Sequence, residues 1–384
     1  MKKNNKKKIQ LMPLLLLAVF GAVGFFGAGL AGAAMDAMQF TANASLNTFI
    51  VMAIACILLC AALVIHIIIH ESGHLVFGLI SGYKFNSFRI FNFMLIREEG
   101  RLAVKRLTIA GTGGQCLMSP PEAADGKIPV VLYNLGGSLM NLIFALIVLP
   151  FAILIPSVPV LSLFLVMFVF YGFVTAAING IPISGEAINN DGHNAISLSR
   201  DPDAVSAFSI QLRVNDMISR GVRLKDMPSE WFELPRDEQM KNSIHATIAV
   251  FSCNRLMDEM KFAEADERMK TLLSMDSGII GVHRQLLICD RIFCELVLRG
   301  SETAADGMRD EQYLKFAKVM KKFPSIIRTE YAYVLLVHKD PDGAARIRNS
   351  FERMAEKYPY PSDIKSEREL LMLAEKTAVE RGIL

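Results

Sequence analysis

Three apolar stretches, residues 11–34, 47 to about 82 and 129–182, constrain this chain more than any other feature. Each is long enough to cross a lipid bilayer, for which about 20 apolar residues per helix suffice. The third is too long for a single crossing, and Pro156-Ser-Val-Pro159 interrupts it. Proline does not continue a helix interior, so this stretch reads as a hairpin of helices 129–155 and 160–182, making four spans in all. The first span has the basic start and small residues, Ala31-Gly-Ala-Ala34, of a secretory signal. Its apolar core exceeds the roughly 7 to 15 residues of such signals, so it reads as a retained helix.

The rest of the chain is of another kind. Hydrophobic residues make up 52% of the whole and charged ones only 21%, outside the range of a single soluble domain. Residues 1–194 hold 12 Lys/Arg and 8 Asp/Glu, and the remainder holds 29 and 30. An apolar half thus joins a polar half, which excludes disorder and collagen-like repeats and makes the net charge of +3 uninformative as an average.

Basic residues are retained on the cytoplasmic side during insertion. Five lysines lie in the N-terminal MKKNNKKK, and Lys84, Arg89, Arg97, Arg101, Lys105, Arg106 and Lys127 lie between the second and third spans, whereas the other two loops carry none. The expectation is a multi-pass protein of the cell membrane with both termini and the long loop in the cytoplasm. The positive charge belongs to this topology and points to no nucleic acid. The six cysteines show no CxxC pair or zinc-finger spacing, which suits reduced, packed thiols.

Inside the spans, ionisable residues cluster. The second span contains His66 and then His70-Glu71-Ser72-Gly73-His74, an HExxH sequence. A titratable group in hydrocarbon is costly, so such residues mark a functional site. Histidines at i and i+4 share one helix face and can reach one metal, and the adjacent glutamate can reach a metal-activated water. A third ligand is needed, and Phe77 and Ile80 stand where the extended metzincin pattern requires Gly and His. Asp191, in Asn190-Asp191-Gly192, is the best candidate; Glu186 and His193 compete with it. His66 is either a packed core histidine or a partner of the site.

These residues resemble the site-2 protease family of intramembrane zinc metalloproteases (peptidase family M50) in three places. One is HExxH within a membrane helix. The second is a Gly-rich helix start of the type Ala-Gly-Pro-x-x-Asn, here Gly136 to Asn141, with Ser138 in place of the usual Pro. The third is Asn-x-x-Pro followed by Asp-Gly, here Asn179 to Pro182 and then Asp191-Gly192, with a longer gap than the common pattern. The resemblance covers roughly residues 47–195. It implies one Zn²⁺ per chain held by His70, His74 and Asp191, with Glu71 as general base and then acid. Asn141 and Asn179 are candidates for binding substrate backbone, against the alternative that they join helices. Gly136 and Gly137 are read as permitting close helix packing.

In the long loop, two β-rich runs between residues 85 and 110 flank the charged turn Arg97-Glu-Glu-Gly100-Arg101, predicting a hairpin, and a Gly/Pro-rich stretch, 111–121, follows. A strand edge there could hold an unwound substrate by strand addition. From about residue 195 the pattern is helical, and 256–276 and 342–354 resemble halves of tetratricopeptide repeats without a clean 34-residue period.

The expected fold is therefore mainly α: a polytopic membrane protein with about four spans and a small cytoplasmic β-hairpin. Residues 1–46 form a basic tail and first span, 47–194 the intramembrane metalloprotease core, and 195–384 a repeat-like cytosolic helical domain that could take a cytosolic protein partner. The expected function is zinc-dependent cleavage of peptide bonds in or next to transmembrane segments of membrane-tethered regulators or signal-peptide remnants. The alternative is an inactive membrane scaffold acting through the helical domain.

Overall fold

The computed structural model describes residues 21, 24–98, 101–109, 111–122, 128–155, 157–183 and 189–384. The chain is mainly helical, with one four-stranded antiparallel sheet among the described residues. Among the described residues three helices are long and apolar enough to cross a membrane: α2 (Ala44–Ile80), α3 (Val130–Leu154) and α4 (Pro159–Gly180). Of the first predicted span, residues 24–34 lie in helix α1 (24–36), and most of the rest falls outside the described residues.

Two compact units with interleaved segments make up the chain. One comprises described residues within 1–81, 131–183 and 190–196, and the other those within 82–130, 184–189 and 197–384.

In the first unit, Asn43 caps α2 by accepting the amide hydrogen of Leu46 at 3.0 Å. With 37 residues, α2 is about 55 Å long, more than the ~30 Å of hydrocarbon it would cross. The third apolar stretch folds as two helices; α4 starts on Pro159, whose missing N–H costs nothing in a first turn. Large apolar side chains such as Phe49, Ile57 and Leu154 face outward, while His66, Glu71, His74 and Asn141 are buried. A soluble domain does the reverse, and a bundle facing lipid requires this inversion.

In the second unit, strands β1 (Lys84–Ile90), β2 (Phe93–Glu98), β3 (Arg101–Arg106) and β4 (Gly114–Ser119) lie in the order β3-β2-β1-β4. The predicted single hairpin is thus a larger sheet. The β2–β3 pair turns where expected, with Glu98 opposite Arg101. The apolar run before it, however, doubles back at Phe91, whose φ of 52° reverses the chain, so that β1 pairs with β2. The Gly/Pro-rich stretch supplies β4, with Cys116 opposite Phe88. Arg89, predicted as a topology charge, is buried and donates to the carbonyls of Phe91 and Gly114 that border these turns.

Beyond α6 (Pro202–Ser219), Met94 and Ile96 of the sheet join a core shared with helices α7 (Ser243–Asp258), α8 (Phe262–Ser274), α9 (Gly281–Leu298), α12 (Pro324–Leu336) and α14 (Pro361–Glu380). Helix α8 packs on α7 and α9, and α12 on α13 (Pro341–Ala355) and α14. Met260 and Lys339, both with positive φ, stand two residues ahead of α8 and α13 and close the helices before them. The short helices α10 (Glu302–Met308) and α11 (Glu311–Val319) intervene between α9 and α12, which is why no even repeat is visible in the sequence. Buried Arg328 bridges Asp290 and Glu367 across this array, and Arg223 bridges Asp258 and Glu369. All six cysteines are free thiols.

Candidate metal centre

Helix α2 presents His70, Glu71 and His74 within about one turn. The i, i+4 spacing puts both imidazoles on one face, with their Nε2 atoms 3.2 Å apart. Asp191, the first residue of α5 (Asp191–Arg200), closes a triangle: its Oδ2 lies 3.0 Å from Nε2 of His70 and 3.3 Å from Nε2 of His74. Ligands about 2.0 Å from a tetrahedral Zn²⁺ stand about 3.3 Å from one another, so these three separations match one face of such a tetrahedron. Oδ2 of Asp191 is buried and accepts no hydrogen bond, which suits a metal ligand. Two imidazoles and a carboxylate are also the donor set of a catalytic zinc, so the residues fit the metal.

Positive charge facing Asp191 favours its anion: burial would push its carboxyl up, but the imidazoles of His74 and His70, when protonated, outweigh burial and hold it well below the usual carboxylate range. His74 donates from Nδ1 to the carbonyl of Tyr133 at 2.9 Å. A carbonyl can only accept, so the proton of neutral His74 sits on Nδ1 and the lone pair on Nε2 faces the triangle.

Glycines let the backbones come this close. A Cβ on Gly73 of α2 would stand 2.3 Å from the carbonyl oxygen of Gly136 on α3, and one on Gly192 would stand 2.2 Å from that of Gly180 on α4. The first contact sets α3 against the HExxH turn, and the second sets the start of α5 against the end of α4.

The other predicted residues are placed as follows. Asn141 is fully buried, with Oδ1 3.1 Å from Nδ1 of His66 and Nδ2 3.3 Å from Nδ1 of His70. Asn179 donates to the carbonyl of Thr175 one turn earlier in its own helix. Nδ1 of His193 is buried without a hydrogen-bond partner, and His193 is not part of the converging group. Glu186 lies outside the described residues. His66 is fully buried and bonds to the carbonyl of Phe168 on α4.

Two contributors escaped the sequence reading. One is the backbone carbonyl of Tyr133, which no side-chain pattern could reveal. The other is Asn190: its Oδ1 accepts from the amides of Ile183 and His193, and its Nδ2 donates to the carbonyls of Ile178 and Ile181. This side chain caps α5, ties it to the end of α4 and so fixes Asp191. An Asn directly before Asp-Gly was the available signal, since it is a preferred N-cap.

A bundle of bilayer-length helices that turns two imidazoles and a carboxylate onto one point is the arrangement of a membrane metalloenzyme. The model of Peptidase family M50 matches residues 58–287, more than half of the chain and a span that includes His70, Glu71, His74 and Asp191. The chain belongs to this family, whose members are zinc metalloproteases. It is accordingly a membrane protein of the metalloprotease type, as the resemblance implied. Comparison with curated proteins and with solved structures gave no match.

Proposed function

We propose that the protein is an intramembrane zinc endopeptidase that hydrolyses a peptide bond within or next to a transmembrane segment of its substrate. The observation that carries this reading is the triangle of His70 Nε2, His74 Nε2 and Asp191 Oδ2 inside an apolar helical unit. His70, His74 and Asp191 would hold one Zn²⁺, a Lewis acid that polarises a scissile carbonyl and acidifies water.

Every remaining role falls to the chain itself. Glu71, next to His70 and buried, takes the proton of the attacking water on its carboxylate and passes a proton to the leaving amine. The carbonyl of Tyr133 keeps His74 oriented. Buried apolar surroundings keep bulk water away, so the carboxylate acts in a medium where charges interact strongly.

The charge distribution supports an arrangement with both termini in the cytoplasm and four spans, organised as a tail and first span (1–46), a protease core (47–194) and a cytosolic helical domain (195–384). Membrane-tethered regulators and signal-peptide remnants fit as substrates, because both present a membrane-embedded helix. Edge strand β3, with exposed Leu102 and Val104, suits strand addition by an extended substrate segment. The helical domain acts as an adaptor or regulator, and its deletion should change cleavage or substrate choice.

The test is co-expression of membrane-tethered substrates with the wild type and with Glu71→Gln. General acid–base catalysis contributes roughly 10²- to 10⁴-fold, so the variant should lose at least about 100-fold in cleaved product. Equal product from both would reject proteolysis.

A further inference from the structure

We propose that Asn141 and His66 are positioning residues that decide which nitrogen of His70 carries its proton, and thereby keep Nε2 of His70 open to the metal. This rests on His70 being a zinc ligand. The two histidines of the HExxH turn are supported differently. For His74 a backbone carbonyl, which can only accept, sets the tautomer. For His70 the group at Nδ1 is the side-chain amide of Asn141, which can either accept or donate. Some further group must therefore orient the amide.

His66 does so. It lies one helical turn before His70, is fully buried, and its Nε2 stands 2.8 Å from the carbonyl oxygen of Phe168. That carbonyl accepts, so Nε2 of His66 carries hydrogen and, in a neutral ring, Nδ1 carries a lone pair. The lone pair needs a donor, and the amide of Asn141 is the group in reach, 3.1 Å away.

The amide has two orientations of nearly the same shape. With Oδ1 toward His66, His66 would need a second proton, making a buried imidazolium in an apolar helix, which is costly. The same orientation has Nδ2 donating to Nδ1 of His70, which leaves the His70 proton on Nε2, facing Asp191 and His74. A half-turn of the amide removes both conflicts: Nδ2 donates to neutral His66, Oδ1 accepts Nδ1–H of His70, and the Nε2 lone pair faces the triangle. The chain of bonds then runs Phe168 carbonyl, His66, Asn141, His70. It also makes His70 a better ligand, because a hydrogen bond donated from Nδ1 raises the basicity of Nε2.

Packing prevents the rings from escaping this order. A Cβ on Gly137 would stand 2.5 to 2.6 Å from three atoms of the His70 ring, so the ring lies flat on that glycine. Gly172 leaves room for His66 in the same way, since a Cβ there would stand 2.9 Å from Cε1. With the rings confined, hydrogen bonding selects the tautomer.

The test measures zinc affinity of the full-length protein in detergent, by competition with a chromophoric chelator, and the absorption spectrum of Co²⁺ in place of zinc. Asn141→Leu should weaken zinc binding by roughly 10- to 100-fold and alter the Co²⁺ spectrum. Asn141→Asp, whose carboxylate accepts from Nδ1 of His70, should keep affinity within about threefold of wild type. His66→Leu should weaken binding by about threefold or more, since the amide loses the group that orients it. Wild-type affinity and spectrum in Asn141→Leu, with zinc lost in His70→Ala, would overturn the relay and leave the ligand reading intact. Unchanged zinc binding in His70→Ala would overturn the ligand reading itself. Should Asn141→Leu fail to fold, the Asp variant decides, because loss of affinity there contradicts a role as acceptor.

Discussion

Gly137 on α3 lies flat beneath the imidazole of His70 on α2: a Cβ at Gly137 would come within 2.5 Å of Cε1 and 2.6 Å of both ring nitrogens. The group that would have to yield is a side chain, so Gly137→Ala should fold and yet displace His70. Zinc affinity is expected to fall by about tenfold or more, since the ring loses both its place and its bond to Asn141. Chelator competition on the purified variant, alongside its thermal unfolding, checks both halves of the expectation.

Gly73→Ala should fail in the other way. Its new Cβ would meet the carbonyl oxygen of Gly136 at 2.3 Å, which is backbone on a neighbouring helix and can yield only if α2 and α3 move apart. A loss of about 1–3 kcal/mol is expected, as for other overpacked interiors. A lowered unfolding temperature in detergent would report it, and a wild-type value would mean the helices are not held at this separation.

Asp191 and Glu186 can be told apart by metal content. Asp191→Ala removes one corner of the triangle and should cost at least about 100-fold in zinc affinity, whereas Glu186→Ala should leave zinc bound. Full occupancy in the Asp191 variant would refute its assignment. Asn190→Ala should fall between, losing about 1 kcal/mol of capping and the tether that fixes Asp191.

Glu367 should make the helical array less stable as pH rises. Burial, opposed by Arg328 and reinforced by Asp290 and Asp258, pushes the Glu367 carboxyl up to about 7. Its ordinary value is about 4.3, so between the two values the folded form binds the more protons. The Glu367 contribution must therefore fall from about pH 4 to about pH 7 and stay low above it, joined by Asp363, also raised to about 7, and opposed by buried His283, lowered to about 4. Glu367→Gln, which keeps the neutral shape, should flatten this dependence and stabilise the unit at pH 8 by on the order of 2 kcal/mol. Trp231, the single tryptophan, packs within this unit near Phe232, so its fluorescence during denaturation reads the effect. The same change in stability between pH 5 and pH 8 in wild type and in Glu367→Gln would contradict it.

Particular residues show how far the sequence could be read. The HExxH turn was legible because helical spacing alone puts His70 and His74 on one face, and the α3–α4 hairpin because the apolar stretch is too long for one crossing and Pro159 suits a helix start, although Pro150 sits inside α3. The reversal at Phe91 was not legible, since a bulky residue with positive φ breaks the local rule and is held by Arg89 bonding the turn carbonyls from within the sheet. Strand β4 was hidden in a Gly/Pro-rich stretch for a related reason: pairing with β1, rather than propensity, makes it a strand. His66 read as either core or partner because its bonds go to Asn141, 75 residues on, and Phe168, 102 residues on.

The sequence by itself determined the apolar helices, the expected side of the membrane and the two imidazoles with their glutamate, because each depends on hydrophobicity, charge or spacing within a few turns of chain. Tertiary structure alone decided that Asp191 meets those imidazoles, that Gly73 and Gly137 let α3 approach them, and that Asn141 stands between His66 and His70. The side-chain contacts among them span 3.0 to 3.3 Å between helices far apart in sequence, and only the packing of one helix on another sets such a distance.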